Sequence, residues 1–321
     1  MAEPVTVVVP AWNGERWLPG LFGSLAAQTQ APHEVIVVDN GSEDGTLGWL
    51  AREAPEARVL AQGRNTGFAV AANRGLLAAR TEFVVLVNTD VELAPNWIEV
   101  MAARLAAESR CASVACKMVR LGDDSVLDDC GDVLRRDGVC EQRGHGRVDD
   151  GRWDTPGEVF GASAGAALYR RSAVRAAGAF DERLFSYLED VDLALRLRLA
   201  GWRCAYEPRA VARHAGGGSS DALAKPIGYW TARNTLLLLS KHWPARWLPF
   251  VLYRQLSWLD AAARRGALGI HLRGLLAGLR LVPAGVRERG AWRTKPVRIE
   301  EAVPRRPWRG PRAGGHPRSG F

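Results

Sequence analysis

The stretch FSYLEDVDLALRLRLAGW, residues 185–202, sets Glu189, Asp190 and Asp192 at the start of a helix-forming run. Carboxylates this close repel one another, while the partial positive charge of a helix N-terminus stabilises an anion there. Asp190 falls at the N-cap or in the first turn, where the helix start lowers its pKa and its acidic neighbours raise it. A carboxylate so placed can take a proton from a hydroxyl, which is the task of a general base. Asp192 has Arg196 one turn further on and reads as scaffold. Val191, Ala194, Leu195 and Leu199 make the apolar stripe, and Gly201 is placed to end the helix. Elsewhere, Asn88-Thr89-Asp90 closes the apolar run FVVLV. A carboxylate beside an amide and a hydroxyl suits a hard divalent cation that keeps positions free for phosphate oxygens. Asp39, in VVDNGSEDGT, can accept a hydrogen bond from an NH donor such as a uracil or thymine ring N3. Arg64-Asn65-Thr66-Gly67, continuing to Asn73-Arg74-Gly75, combines amides with an arginine at a helix start able to face a phosphate. His214, in ARHAGGGSS, offers an imidazole for a divalent metal or a diphosphate. Taken singly, each of these is served as well or better by capping, turn chemistry or a structural histidine.

The elements that must position these residues follow from hydrophobic pattern. β-Branched apolar runs at residues 5–9, 35–38 and 83–87 are too continuous for half-exposed strands and read as buried parallel strands. Helical patterns lie between and after them, at residues 15–28, 46–53, 68–79 and 96–107. Such alternation implies βαβ units, hence an α/β fold with a mostly parallel sheet flanked by helices. Each strand runs straight into polar residues: Pro10-Ala11-Trp12-Asn13, Asp39-Asn40-Gly41-Ser42 and Asn88-Thr89-Asp90. In an open parallel sheet these loops share the ligand-binding edge. Residues 122–156 are polar and rich in Gly and Asp, an irregular excursion with short strands. The α/β pattern gives way to amphipathic helices near Asp221, so the expected organisation is 1–221 for the α/β domain, 222–298 for a basic helical region and 299–321 for a structureless tail.

Charge divides along the same boundary. The net charge of +8 is the difference between +15 over residues 222–321 and −7 over residues 1–221. A basic segment favours an anionic partner. Leu272, Leu275, Leu276 and Leu279 repeat at helical spacing beside Arg273 and Arg280, and the run IGYWTARNTLLLLSKHWPARWLPFVLYRQLSWL adds Trp and Tyr. That composition suits a helix lying on an anionic membrane, with packing against the α/β domain as the plainer alternative. No run approaches the roughly 18 apolar residues of a membrane span, and the N-terminus lacks a signal-peptide pattern. The five cysteines have neither C-x-x-C spacing nor paired histidines, which argues for reduced thiols in the cytoplasm.

In order along the chain, VVVPAWNGERWL, VIVVDNGSEDGT, NTGFAVAANRGL, FVVLVNTDVEL, GASAGAALYRR, GAFDERLFSYLEDVDLALRLRLAGW and ARHAGGGSS resemble the inverting family 2 glycosyltransferases of the GT-A fold, in their rhamnosyltransferase-like branch. The likeness spans residues 5–220. It implies that Ala11, Asn13, Asp39, Asn65 and Asn73 line the nucleotide pocket, with Pro10, Glu15, Arg64, Asn88, Thr89, Gly165 and Glu189 as further substrate-binding residues. It further implies that Asp90 and His214 hold Mn²⁺ or Mg²⁺ on the donor diphosphate and that Asp190 is the catalytic base. Residues 161–165 would let backbone approach the acceptor closely. Asn88 stands where many relatives carry the first Asp of an acidic triplet, a departure this branch often shows. The implied partners are a nucleotide-sugar donor, with dTDP-rhamnose the leading guess, and a saccharide or lipid-linked acceptor at the inner face of the cell membrane, with no role for nucleic acid. A nucleotidyltransferase would need a Gly-rich basic loop after the first strand, and a dinucleotide-dependent oxidoreductase a G-x-G-x-x-G; PAWNGERW is neither. A catalytically inactive membrane- or nucleic-acid-binding protein on the same fold is the remaining alternative.

Overall fold

A computed structural model describes residues 3–216, 226–293 and 295–303. Its first third alternates strand and helix: β1 (Val5–Ala11), α1 (Leu18–Ala26), β2 (Glu34–Asp39), α2 (Thr46–Glu53), β3 (Arg58–Ala61), α3 (Phe68–Ala78) and β4 (Phe83–Val87). β1 pairs in parallel with β2 and β4, and β2 with β3. Val7, Val8, Val9, Ile36, Val37, Val84, Val85 and Leu86 are fully buried, as strands covered by helices on both faces require. β3 escapes a search for apolar runs because it is a four-residue edge strand with little to bury, Val59 being 37% exposed.

The chain continues through β5 (Val91–Leu93), α4 (Trp97–Ala106), β6 (Cys111–Arg120), β7 (Asp123–Asp129), β8 (Asp132–Leu134), β9 (Cys140–Gln142), β10 (Gly157–Val159), β11 (Ala166–Arg170), α5 (Arg171–Ala176), α6 (Glu189–Leu199) and β12 (Arg203–His214). β11 slots between β4 and β6, antiparallel to both, so the sheet runs β10-β12-β6-β11-β4-β1-β2-β3. β12 lies parallel to β6, and its last residues pair with β5. The excursion over 122–156 supplies β7 as a further neighbour of β6, with β8 and β9 as a separate ribbon.

The expected one-sided stripe on α6 is too narrow. Val191, Ala194, Leu195 and Leu199 are buried, but so are Leu193 and Leu197. The second pair faces the sheet-side core, whereas the stripe packs with Leu238, Leu239, Trp243 and Val303 from the C-terminal part of the chain. A helix covered on both sides has no solvent face to pattern.

The C-terminal helices are α7 (Ile227–His242), α8 (Leu248–Arg264), α9 (Leu268–Leu279), α10 (Val282–Arg293) and α11 (Ile299–Ala302). α9 meets α7 through Gly274 and Gly278, where a Cβ would come within 2.5 Å of Tyr229 O and 2.6 Å of Arg233 O. This small-residue seam turns the leucine stripe outward: Leu272, Leu276 and Leu279 are 42%, 62% and 56% exposed. Residues 299–303, expected to belong to a structureless tail, are ordered: Ala302 and Val303 are buried, and Arg136 donates to the carbonyls of Val303 and Glu300. Residues 304–321, and the boundary near Asp221, lie outside the described residues. Among the described helices none is long and apolar enough to cross a membrane.

Candidate active site

The loops after β1 and β2 are stitched together. Asn13, in a left-handed conformation (φ 51°), donates its N–H to Ser42 Oγ at 2.9 Å, and its Oδ1 accepts from Glu43 N–H at 2.8 Å. Glu15 accepts from Gly45 N–H at 3.0 Å, and Gly14 donates to Thr46 Oγ1. Pro10 and Ala11 close β1 beside them, in register with Val38 and Asp39. Asp39 is buried, with Gly41 and Ser42 N–H at 3.3–3.4 Å from its carboxylate. Asn40 is the hub of this edge: its Oδ1 accepts from Gln62 and Thr66, and its Nδ2 donates to Asn65 Oδ1, which also caps Gly67 N–H. Arg64 is exposed at the rim. Asn73 stands apart. Both ends of its buried amide are engaged by the backbone of Phe180, and Nδ2 also reaches Glu182, so it pins α3 to the chain ahead of α6.

After β4, Asn88 donates its N–H to Gly165 O at 2.9 Å, and Thr89 is buried against Gly14. Asp90 is 6% exposed. The antiparallel register of β12 with β5 sets His214 opposite Val91. His214 Nε2 thereby lies 3.3 Å from Asp90 Oδ2, and Nδ1 lies 2.8 Å from Asp128 Oδ2 at the end of β7. Burial alone would lower the His214 pKa, but the two carboxylates outweigh it and push it up to about 10. Burial likewise opposes the Asp128 charge, yet His145 and His214 hold its pKa far below the usual carboxylate range. No group of three or more metal-ligating side chains occurs among the described residues. A buried carboxylate and an imidazole, the latter backed by a second carboxylate, nonetheless fit a divalent ion whose remaining ligands are phosphate oxygens and water.

Asp190 meets the chain just ahead of β11. Its Oδ2 accepts from Ala164 N–H at 3.2 Å and its Oδ1 from Val191 N–H at 2.8 Å. Burial raises its pKa, and these backbone hydrogen bonds offset only part of the rise. This corrects the account based on repulsion from Asp192, which sits two residues on and about 200° around the helix. Asp192 is bound to Arg196 at 2.7 Å, Lys241 at 2.7 Å and His242 at 3.2 Å, and despite burial the Arg196 and Lys241 charges and the His242 hydrogen bond hold its pKa well below the ordinary value. The buried Glu189 carboxyl is pushed up instead, by burial first and then by Asp190.

The turn that delivers Asp190 is strained. Phe185, Tyr187 and Leu188 all have positive φ (63°, 70° and 67°), costly for residues with side chains. Three contacts hold it. Asn234 of α7, fully buried, directs its Nδ2 to the carbonyls of Leu184, Ser186 and Tyr187 at 2.7–2.9 Å. Phe185 stacks on Trp230 at 4.5 Å. Gly67 (φ 92°) lies where a Cβ would come within 2.6 Å of Phe185, so α3 abuts the same turn.

Asp90 and Asp190 are therefore tied to one short segment: Gly165 bonds to Asn88, two residues before Asp90, while Ala164 bonds to Asp190. β7 borders both, with Asp128 on His214 and Asp129 electrostatically coupled to Asp190. Asp129 is fully buried, and burial, then Asp128, pushes its pKa up to about 8; Asp132 is raised by burial and by Asp129 and Asp190. Asp128, Asp129, Asp132 and Asn234 have no periodic or motif signal in the sequence. Only strand pairing and helix packing bring them here.

Residues 6–178 match the family model described as Glycosyl transferase family 2. The chain is 31% identical over 237 residues to the N-acetylglucosaminyl-diphospho-decaprenol L-rhamnosyltransferase of Mycobacterium tuberculosis, covering 67% of this chain and 76% of that protein. It is 33% identical over 219 residues to the pre-mycofactocin glycosyltransferase of the same organism, covering 65% and 42% respectively. Among solved structures it is similar to GalNAc-T7 with UDP, GalNAc and Mn²⁺ (TM-score 0.61, 14% identity, 76% of this chain and 49% of that one). It is also similar to a Pyrobaculum calidifontis mannosyltransferase with GDP-Man and Mn²⁺ (TM-score 0.53, 19% identity, 95% and 87%). Both are glycosyltransferases of the GT-A fold, and the likeness is one of fold.

Proposed function

Because the chain belongs to glycosyl transferase family 2, in its rhamnosyltransferase-like branch, we propose that it moves a sugar from a nucleoside diphosphate to a hydroxyl of a saccharide or lipid-linked acceptor, with inversion at the anomeric carbon. The observation that carries this reading is that residues 164–165 bond both to Asp190 and to Asn88, two residues before Asp90. Asp190 removes the proton of the acceptor hydroxyl, whose oxygen then bonds to the anomeric carbon as the bond from that carbon to the diphosphate oxygen breaks. Burial, which raises the Asp190 pKa, strengthens it as a base at the cost of a smaller ionised fraction at low pH. Asp90 and His214 would hold Mn²⁺ or Mg²⁺, which when bound supplies countercharge for the departing diphosphate. Asp39 and the stitched loops around Asn13, Glu15 and Asn65 take the nucleoside, with Arg64 at the rim. Rhamnose is the donor sugar that the similarity to the decaprenol-linked rhamnosyltransferase supports.

We further propose peripheral contact with an anionic membrane at its cytoplasmic face. Its support is the exposed Phe250, Leu252, Tyr253 and Leu256 on α8, with Leu272, Leu276 and Leu279 on α9, in a C-terminal region of net positive charge.

The decisive experiment incubates the protein with a panel of nucleotide sugars, Mn²⁺ and lipid-linked or simple acceptors, and measures nucleoside diphosphate release. Wild type is expected to turn over one donor, and Asp190→Asn to lose about 10²–10⁴-fold in rate. Equal release by the two proteins would remove the base assignment.

A further inference from the structure

On the face of α6 turned away from Asp190, a cavity of about 350 Å³ opens between the end of α7, α10 and residues 295–300. Five cationic side chains line it, Lys241, Arg246, Arg289, Lys295 and Arg298, against one acid, Glu300. Two of the cations are already matched, Lys241 by Asp181 and Asp192 and Arg246 by Glu300. The other three are not. Arg289 donates to the carbonyls of Ser240 and Leu239, and Lys295 lies 5.8 Å from the Trp292 ring centroid. No carboxylate pairs with Arg289, Lys295 or Arg298 among the described residues.

Three uncompensated positive charges around one hollow repel each other, and an anion in the hollow turns that repulsion into attraction. Guanidinium groups match phosphate oxygens in pairs, and a volume near the lower end of ligand pockets, about 300–1,000 Å³, admits a phosphate or diphosphate with a small substituent. We propose that this cavity is a second anion site, separate from the donor diphosphate position at Asp90 and His214, and that it binds a phosphate group, either free or as the headgroup of an anionic lipid. The placement is independent of the catalytic reading, because its residues touch neither Asp90 nor Asp190.

The test titrates inorganic pyrophosphate by calorimetry in buffer cleared of divalent metal with a chelator. It compares wild type, Lys295→Gln/Arg298→Gln, His214→Ala, and a charge-matched control, Arg280→Gln/Arg287→Gln, whose exposed arginines lie outside the cavity. Lys295 and Arg298 are themselves exposed, so their replacement leaves the core intact, and circular dichroism checks this. The expected result is saturable binding that weakens about tenfold or more in the cavity variant and persists in the other two proteins. Equal binding by wild type and the cavity variant overturns the proposal, as does loss in His214→Ala alone or an equal loss in the charge-matched control. A second arm sediments the four proteins with phosphatidylglycerol vesicles. Vesicle binding that the cavity variant loses and pyrophosphate displaces identifies a lipid headgroup as the source, whereas pyrophosphate binding without such vesicle binding identifies a soluble phosphate.

Discussion

At the scale of single residues, neighbouring carboxylates of one sequence carry opposite pKa shifts because the fold gives them opposite surroundings. Asp192 is tied to two cations and the His242 imidazole, while Asp190 meets only backbone N–H groups and Glu189 retains an unpartnered Oε2. The same contrast separates Asp128 from Asp129. Asp128 fixes His214 through Nδ1, leaving Nε2 toward Asp90. Replacing such a backing carboxylate typically costs 10–100-fold in metal affinity, so Asp128→Asn is expected to weaken Mn²⁺ binding by about that factor in a calorimetric titration. An unchanged affinity would separate Asp128 from the metal site. Asp129 has the reverse effect on stability. Between its ordinary pKa of 3.8 and the value near 8 in the fold, the native state keeps a proton that the unfolded chain has lost, so stability falls as pH rises through that window. Each retained proton contributes up to about 1.4 kcal/mol per pH unit. Melting temperatures of Asp129→Asn between pH 4 and 8 are expected to decline less than those of wild type; parallel curves would contradict the raised pKa.

At the scale of elements, β12 and α7 do what the βαβ half does not. β12 reaches from the sheet core to His214, and α7 lays Asn234 under the strained turn at residues 185–188. Removing that amide leaves buried carbonyls without a donor, a loss of about 1–3 kcal/mol, and frees three left-handed residues to relax. Asn234→Ala should therefore lower the urea midpoint and also lower kcat with little change in donor KM, since it touches the turn carrying Asp190 and not the nucleotide loops. A variant destabilised by this amount with kcat intact would show that the turn holds Asp190 without help from α7.

At the scale of the whole molecule, the exposed apolar residues of α8 and α9 define the surface proposed to meet the membrane. Leu272→Asp/Leu276→Asp, which alters that surface without touching the Gly274 and Gly278 seam, is expected to abolish sedimentation with anionic vesicles while leaving transfer to a soluble acceptor unchanged. Unaltered sedimentation would place the contact elsewhere. Much of this architecture was legible without coordinates: continuous Val and Ile runs read as doubly covered strands, and the polar residues that follow them must then share the carboxyl edge of the sheet, as Asn13, Asp39 and Asn88 do. The acids at residues 189–192 likewise announced a helix start, and Asp192 announced its Arg196 partner. These are local facts, set by backbone sterics, side-chain period and the reach of a helical turn. Sequence alone did not place Asp128 behind His214, bury Asp129 and Asp132 near Asp190, assign Asn73 to a clamp, or seat α9 on its glycines with its leucines outward. Each of those depends on segments far apart in the chain meeting across a strand register or a helix seam, and no periodicity within either segment encodes the meeting.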